Sequence, residues 1–181
     1  MDLKKLSAFL KEKGQPAFRL KQVRDAVYKN FAASWDEIPA LPAAVREELK
    51  GEFRIHSLDT LKTLAGKKND AIKFLFELKD GLKIETVLLN LMPEKWSLCI
   101  STQVGCPVRC PFCATGRKGL KRNLSPDEIV DQYLAAASYL KKTRNHKVAS
   151  VIFMGMGEPF YNYESLSEAI HTITDPDLIG L

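Results

Sequence analysis

The sequence contains few cysteines, no long apolar run and no histidine in a metal-ligand pattern. Its 181 residues include four cysteines and three histidines. The longest apolar stretches fall far short of the roughly 20 residues that cross a bilayer, and the opening segment MDLKKLSAFLKEKG has the spacing of an amphipathic helix rather than of a signal peptide. We therefore expect a cytoplasmic protein without membrane contact. Thiols stay reduced in that compartment, so clustered cysteines indicate metal binding or catalysis before disulfides.

The positive charge is unevenly distributed along the chain. Residues 1–30 contain eight basic and three acidic side chains, and the remainder contains nineteen of each sign, so the net charge of +5 lies on the N-terminal segment. A second group of basic residues contains no acid and surrounds the cysteine-rich segment: Arg109, Arg117, Lys118, Lys121 and Arg122. Two basic patches favour a polyanionic partner such as nucleic acid. Charge alone leaves an ordinary solvated surface open as the alternative.

Hydrophobic periodicity predicts a helical domain followed by a β-hairpin. Apolar residues at helical spacing, with a break at Gly14, predict helices over residues 1–57. Residues 58–92 are predicted to carry the hairpin, with Asp80-Gly81 as a two-residue turn that pairs Phe76 with Glu85. Glu85 then lies on a mostly apolar face, where desolvation would raise its pKa and suit it to accept a proton. The residues alone favour the alternative, an edge position in which Glu85 is paired with Lys83 or open to water.

Residues 93–181 alternate between strands and helices. The segments WSLCISTQV (96–104) and HKVASVIFMG (146–155) predict strands, the second of them buried. Between them, Ser125 and Glu128 have the spacing of a capping box at the start of a helix. This order predicts an α/β fold, either the opening of a parallel barrel or a wound sheet, and such folds carry their chemistry on loops at the carboxyl ends of strands.

The segment GCPVRCPFCATG (105–116) places three cysteines within eight positions. Three thiolates so close together can surround one soft metal centre. A structural zinc site needs four ligands, usually as two separated pairs, and no second pair exists because the remaining cysteine, Cys99, lies upstream in a predicted strand. A four-iron cluster held by three cysteines satisfies this count and leaves one iron open for a substrate or cofactor.

Two motifs together resemble the radical S-adenosylmethionine (SAM) enzymes. The CxxxCxxC spacing follows a predicted strand, and GMGEP (155–159) is similar to the segment with which those enzymes grip the methionyl amino group of the cofactor. The match is closer to one family within them. CISTQVGCPVRCPFCATGRKGLKRNLSPDEIVDQ, FRLKQVRDAVYKNF, IETVLL and VIFMGMGEPFYNY resemble the RlmN/Cfr-type rRNA adenine methyltransferases, and the better fit is the RlmN branch.

The resemblance implies a fold and a role for particular residues. The fold is an N-terminal helical accessory domain that binds RNA (1–57), a β-hairpin segment (58–92) and the first β/α units of a radical SAM partial TIM barrel (93–181). Three cysteines would hold a [4Fe–4S] cluster: Cys106, Cys110 and Cys113. Two residues would bind SAM: Gly157 and Glu158. Two would be catalytic, with Glu85 as proton acceptor and Cys99 resolving a covalent enzyme–RNA intermediate. The match to IETV thus overturns the solvent-exposed alternative for Glu85.

The activity that the resemblance implies is methyl transfer to carbon 2 of an adenine in 23S rRNA and certain tRNAs. It needs an electron donor that reduces the cluster, and the full-length form is expected to be a monomer. The methyl-carrying cysteine of the family and the later barrel strands do not occur in this sequence. We therefore expect the N-terminal half of a family member, truncated in mid-barrel and inactive by itself.

Three other interpretations compete with this one. A Cfr-like carbon-8 methyltransferase shares every motif quoted above. A non-catalytic RNA-binding module with a structural metal would contain zinc instead of iron. A stand-alone redox iron–sulfur protein is disfavoured because three cysteines leave the cluster open.

Overall fold

A computed structural model describes residues 1–68, 70–92 and 95–181, and it confirms the α/β arrangement. The helices are α1 (Leu3–Glu12), α2 (Phe18–Arg24), α3 (Ala43–Glu52), α4 (Ala114–Arg117), α5 (Pro126–Arg144) and α6 (Tyr163–Thr174). The strands are β1 (Leu58–Ala65), β2 (Ala71–Leu78), β3 (Lys83–Met92), β4 (Lys95–Cys99), β5 (Gln103–Gly105), β6 (Leu120–Asn123) and β7 (Val148–Ile152). Within the described ranges, no helix has the length and apolar character that crossing a membrane requires.

The first 57 residues form the helical unit that the periodicity predicts. Asp2 begins α1, since its carboxylate accepts hydrogen bonds from the backbone N–H groups of Lys4 and Lys5. Helix α2 continues as one π-helical segment, Asp25–Lys29, and a short 3₁₀ helix precedes α3. The helices bury a shared apolar core: Leu6, Leu10, Val23, Val27, Trp35, Ile38 and Leu49. The boundary at residue 57 stays a prediction.

A buried carboxylate on α5 connects the end of this helical unit to the α/β part through hydrogen bonds. Asp131 on α5 is almost fully buried and accepts hydrogen bonds from the backbone N–H and the hydroxyl of Ser57, at 2.6 and 2.7 Å. The ring of His56 lies 3.4 Å from the same carboxylate. Burial alone would raise the pKa of Asp131, but these contacts hold it below its ordinary value. The junction therefore contains a buried carboxylate that is held by hydrogen bonds.

Five strands form one sheet in the order β1-β2-β3-β4-β7. The first four strands are antiparallel neighbours, and β7 runs parallel to β4 after the crossover through α5. One face of β2 and β3 is buried, and on it Phe74 packs edge-on against Tyr139 of α5, with ring centroids 5.2 Å apart. Ser125 and Glu128 form the predicted capping box at the start of α5. The opposite face of the sheet carries the half-exposed side chains.

The predicted register of the hairpin is wrong by one residue. Phe76 pairs with Ile84 instead of Glu85, and the pairing begins at Glu77 with Lys83. Gly81 has φ +78°, so the chain turns through a three-residue loop with a left-handed glycine rather than through a two-residue turn. Because side chains alternate between faces, the shift moves Glu85 away from the buried aromatic face.

Two predicted strands also differ from the structure. The segment 96–104 is not one strand, because β4 ends at Cys99 and β5 pairs with β6 in a separate two-stranded sheet. The segment 146–155 contains a strand, but it is an edge strand rather than a buried one, with Ala149 and Ser150 exposed. The edge position matches the unpaired strand edge that a partial barrel presents.

Candidate functional site

The two motif loops meet on one backbone segment, residues 100–103, which follows β4. The N–H of Gly155 donates to the carbonyl of Ile100 at 3.1 Å, and the carbonyl of Met156 accepts from the N–H groups of Thr102 and Gln103 at 2.9 and 3.1 Å. The same segment leads into β5 and the cysteine loop. Main-chain hydrogen bonds therefore hold the GMGEP loop against the approach to the cysteines.

Glycine is required at two positions of the GMGEP loop by this close contact. A Cβ atom at Gly155 would lie 2.8 Å from the carbonyl carbon and oxygen of Ile100. A Cβ atom at Gly157 would lie 2.6 Å from Cβ of Gln103, and Gly157 also has φ +104°, a conformation that other residues rarely adopt. The glycines allow the loop to lie directly on the chain that leaves β4.

Side-chain amides complete the attachment of this loop. Gln103 accepts from the backbone N–H of Glu158 at 2.9 Å and donates to the side-chain oxygen of Asn123 on β6 at 2.7 Å. Asn162 donates to the carbonyls of Thr102 and Leu124, both at 2.8 Å. Sequence reasoning missed Gln103 and found no role for Asn162. Their partners are 20 to 60 residues distant in the sequence, so no local pattern marks them.

Gln132 on α5 is the buried centre of the site, and sequence reasoning missed it as well. Its side chain is fully buried and uses four hydrogen bonds. The amide oxygen accepts from the hydroxyl of Thr86 at 2.7 Å and the N–H of Ser101 at 3.0 Å. The amide nitrogen donates to the carbonyls of Ser101 and Glu128, each at 3.0 Å. One side chain thus joins β3, the segment after β4, and α5.

Glu85 and Cys99 lie on the same face of the sheet. Cys99 pairs with Val87, two residues after Glu85 on β3, so all three side chains point away from α5. The side chain of Glu85 is 46% exposed, and its carboxylate forms an ion pair with Lys73 at 2.9 Å. The backbone carbonyl of Glu85 accepts a hydrogen bond from the hydroxyl of Ser101 at 2.6 Å. The expectation of a desolvated carboxylate on an apolar face is wrong, because the observed register places Glu85 on the open face.

A cavity of about 480 Å³ separates Glu85 from the cysteine loop. Its apolar wall consists of Leu75, Leu82, Val104 and Met156, and its rim carries three lysines: Lys83, Lys118 and Lys121. Ligand sites of small molecules have volumes in this range, with mostly apolar walls and a few polar groups. The cavity is therefore large enough for a nucleobase, with one carboxylate on its wall and cations at its mouth.

The two kinds of cysteine lie in opposite electrostatic environments. Burial raises the pKa of the Cys99 thiol, and the backbone N–H of Met154, which favours the thiolate, offsets only part of that effect. In contrast, the backbone N–H groups of Gly116 and Thr115 lower the pKa of Cys113, which lies at the start of α4. Cys99 is thus kept as a thiol, whereas Cys113 favours the thiolate that metals bind.

Backbone hydrogen bonds order the cysteine loop. The N–H of Cys113 donates to the carbonyl of Cys110 at 3.0 Å, and the N–H of Cys106 donates to that of Gly119 at 3.2 Å. Among the described residues, no three His, Cys, Asp or Glu side chains are gathered closely enough to hold a single metal ion. The donor set nevertheless fits an iron–sulfur cluster in kind, since it offers three soft sulfur ligands, one of them biased toward the thiolate.

Comparisons with known proteins agree with this chemistry. The family model of the Radical SAM superfamily matches residues 100–178. The chain is 38% identical over 180 residues to "Probable dual-specificity RNA methyltransferase RlmN 2" of Protochlamydia amoebophila, covering 99% of this chain and 50% of that protein. It is 43% identical over 176 residues to "Probable dual-specificity RNA methyltransferase RlmN" of Rhodococcus opacus, covering 95% of this chain and 47% of that protein.

A solved structure gives the same result at the level of the fold. The crystal structure of a radical SAM methyltransferase from Sphaerobacter thermophilus superimposes with a TM-score of 0.92 at 34% identity, covering 100% of this chain and 52% of that one. The chain therefore spans about half the length of the relatives that it matches. The motifs, the fold and these relatives agree: the chain belongs to the radical SAM superfamily and, within it, to the RlmN family of RNA methyltransferases.

Proposed function

We propose that this chain carries the cofactor-binding face of an enzyme that methylates carbon 2 of an adenine in 23S rRNA and in tRNA. The observation that carries the proposal is the placement of Glu85 and Cys99 on one open sheet face, beside both the GMGEP loop and the cysteine loop. When bound, the [4Fe–4S] cluster and SAM supply radical chemistry, which carbon 2 of adenine requires because it has no useful acidity or nucleophilicity.

Each part of the site has one task in this proposal. Cys106, Cys110 and Cys113 hold the cluster, and Gly157 and Glu158 hold the amino group of SAM. Glu85, whose side chain lines the cavity and forms an ion pair with Lys73, accepts the proton that leaves carbon 2. Cys99 supplies the thiol that resolves a covalent enzyme–RNA intermediate.

Ser101 links the parts of this site. Its hydroxyl donates to the carbonyl of Glu85 and accepts from the N–H of Met156 at 2.9 Å, so the catalytic strand and the cofactor loop share one side chain. In the same proposal the protein works in the cytoplasm as a monomer, and an external electron donor reduces the cluster.

Deleting the gene in its native source tests the activity. Nucleosides from 23S rRNA and tRNA are quantified by mass spectrometry in the deletion strain, and in that strain carrying either the wild-type gene or the Cys110→Ala variant. We expect 2-methyladenosine to disappear, to return with the wild-type gene and to stay absent with the variant. Unchanged 2-methyladenosine in the deletion strain contradicts the proposal, and loss of 8-methyladenosine instead favours the carbon-8 alternative.

The metal content separates an enzyme from a structural module. Protein purified without oxygen is expected to contain iron and sulfide, both of which decrease in Cys110→Ala. Zinc in place of iron would favour the non-catalytic RNA-binding module.

A further inference from the structure

Ser101 lies just beyond the point where β4 stops pairing with its neighbouring strands. The ladder of β4 with β3 and its ladder with β7 both end at Cys99. Two residues later, the hydroxyl of Ser101 donates to the backbone carbonyl of Glu85 at 2.6 Å and accepts from the N–H of Met156 at 2.9 Å. One side chain therefore joins β3 to the GMGEP loop beyond the end of both ladders.

A hydroxyl suits this position because it donates and accepts a hydrogen bond at the same time. Ser101 is fully buried, so water cannot replace either bond. With alanine at this position, the N–H of Met156 would lose its acceptor and the carbonyl of Glu85 would lose the donor that Ser101 supplies. The contact between β3 and the loop thus depends on the hydroxyl itself and not on the volume of the side chain.

The main chain of Ser101 is in turn held by α5. Gln132 accepts from the N–H of Ser101 and donates to its carbonyl, both at 3.0 Å. The same amide oxygen of Gln132 accepts from the hydroxyl of Thr86, the residue that follows Glu85. The backbone of Ser101 and that of β3 are therefore fixed to one buried amide, so the hydroxyl of Ser101 acts from a fixed position.

We propose that Ser101 is a positioning residue of the methyl transfer: its hydroxyl fixes the proton acceptor Glu85 relative to the loop that holds SAM. Gly157 and Glu158 directly follow Met156, so the N–H that Ser101 accepts belongs to the cofactor loop itself. A displacement of about 1 Å at a reacting group lowers a rate by about 100-fold. The inference rests on the proposed function and names the residue that sets the placement of its two parts.

Steady-state methylation kinetics of two variants test this assignment. The protein encoded by the native gene is purified without oxygen, and 23S rRNA and tRNA from the deletion strain are the substrates. Ser101→Ala is compared with Ser97→Ala, the same change on β4, which removes a hydroxyl bond of 2.7 Å to Ser150. Ser101→Ala should lower kcat about 10- to 100-fold and change the KM for RNA less than about threefold, because it displaces the reacting groups and leaves RNA binding intact. The control should stay within about twofold of the wild type.

Two further readouts separate positioning from a purely structural role. The amides of residues 155–158 should exchange hydrogen about tenfold faster in Ser101→Ala and at the wild-type rate in Ser97→Ala, because only the first change removes the acceptor of Met156. A protein–RNA species that survives denaturation should increase in Ser101→Ala, since the covalent intermediate persists until the proton leaves carbon 2. Loss of folded protein would instead lower the product and this species together.

Each contrary result has a distinct meaning. If kcat of Ser101→Ala stays within about threefold of the wild type, the hydroxyl does not position Glu85; the inference is then wrong and the proposed function is unaffected. If hydrogen exchange rises throughout the chain, or if product and covalent species fall together, Ser101 only supports the fold and the inference is again wrong. If the wild-type protein forms no 2-methyladenosine, the proposed function fails, and the wild-type assay alone shows it.

Discussion

Replacing Gln132 by leucine should cause one of the largest losses of stability available from a single side chain in this protein. Leucine has a similar volume and no polar atoms, so the change removes hydrogen bonds and leaves no large cavity. The hydroxyl of Thr86 and the N–H of Ser101 would each lose their acceptor inside the core, because Gln132 and Thr86 are fully buried.

The size of the effect follows from these two donors. A buried donor left without an acceptor costs about 1–3 kcal/mol, so the free energy of unfolding should fall by about 4 kcal/mol. For a chain of this length each 1 kcal/mol lowers the melting temperature by about 2–4 °C, which predicts a decrease of about 12 °C. Thermal unfolding followed by circular dichroism measures the change.

The control for this prediction is Gln15→Leu, the same chemical change at a half-exposed position. Gln15 makes a single long hydrogen bond, 3.4 Å to the carbonyl of Lys13, so its loss should cost less than about 0.5 kcal/mol. If both variants melt within about 3 °C of each other, the Gln132 hydrogen bonds do not hold the three elements together and the reasoning is refuted.

Two further predictions concern the loops of the site. Gly157→Ala should lower the free energy of unfolding by about 3 kcal/mol in denaturant titrations, because the new Cβ would meet Gln103 at 2.6 Å in a strained backbone. Gly14→Ala, at φ +65° with nothing within 4 Å, should lose only about 1 kcal/mol, and equal losses would rule out the close contact as the cause. In variants that retain a single cysteine, the pH midpoint of alkylation should be lower for Cys113, since its thiolate is favoured, than for Cys99, which burial keeps protonated. Coincident midpoints would show that the two environments do not differ as described.

The hairpin shows why one register could not be read from the sequence. Strand β3 has apolar residues in both alternations, Ile84 and Leu88 in one and Val87 and Leu89 in the other, so either face could have been buried. Asp80-Gly81 suits both a two-residue turn and the observed three-residue loop. The structure buries the face of β3 that contains Ile84, Thr86 and Leu88. The hydroxyl of Thr86 is satisfied there because Gln132, 46 residues later, supplies its acceptor.

What the sequence determined by itself is local. The three closely spaced thiols, the GMGEP segment and the capping box of α5 each depend on neighbouring residues, so their spacing alone indicated the soft-metal loop, the cofactor loop and the start of the helix. Only the tertiary structure decided that Glu85 and Cys99 share one open face and that Gln132 joins three elements. It also decided that Arg122 of the basic residues around the cysteine loop is paired with Asp80 and Glu128. These properties are relations between groups far apart in the chain, and burial, register and charge pairing exist only once the fold brings those groups together.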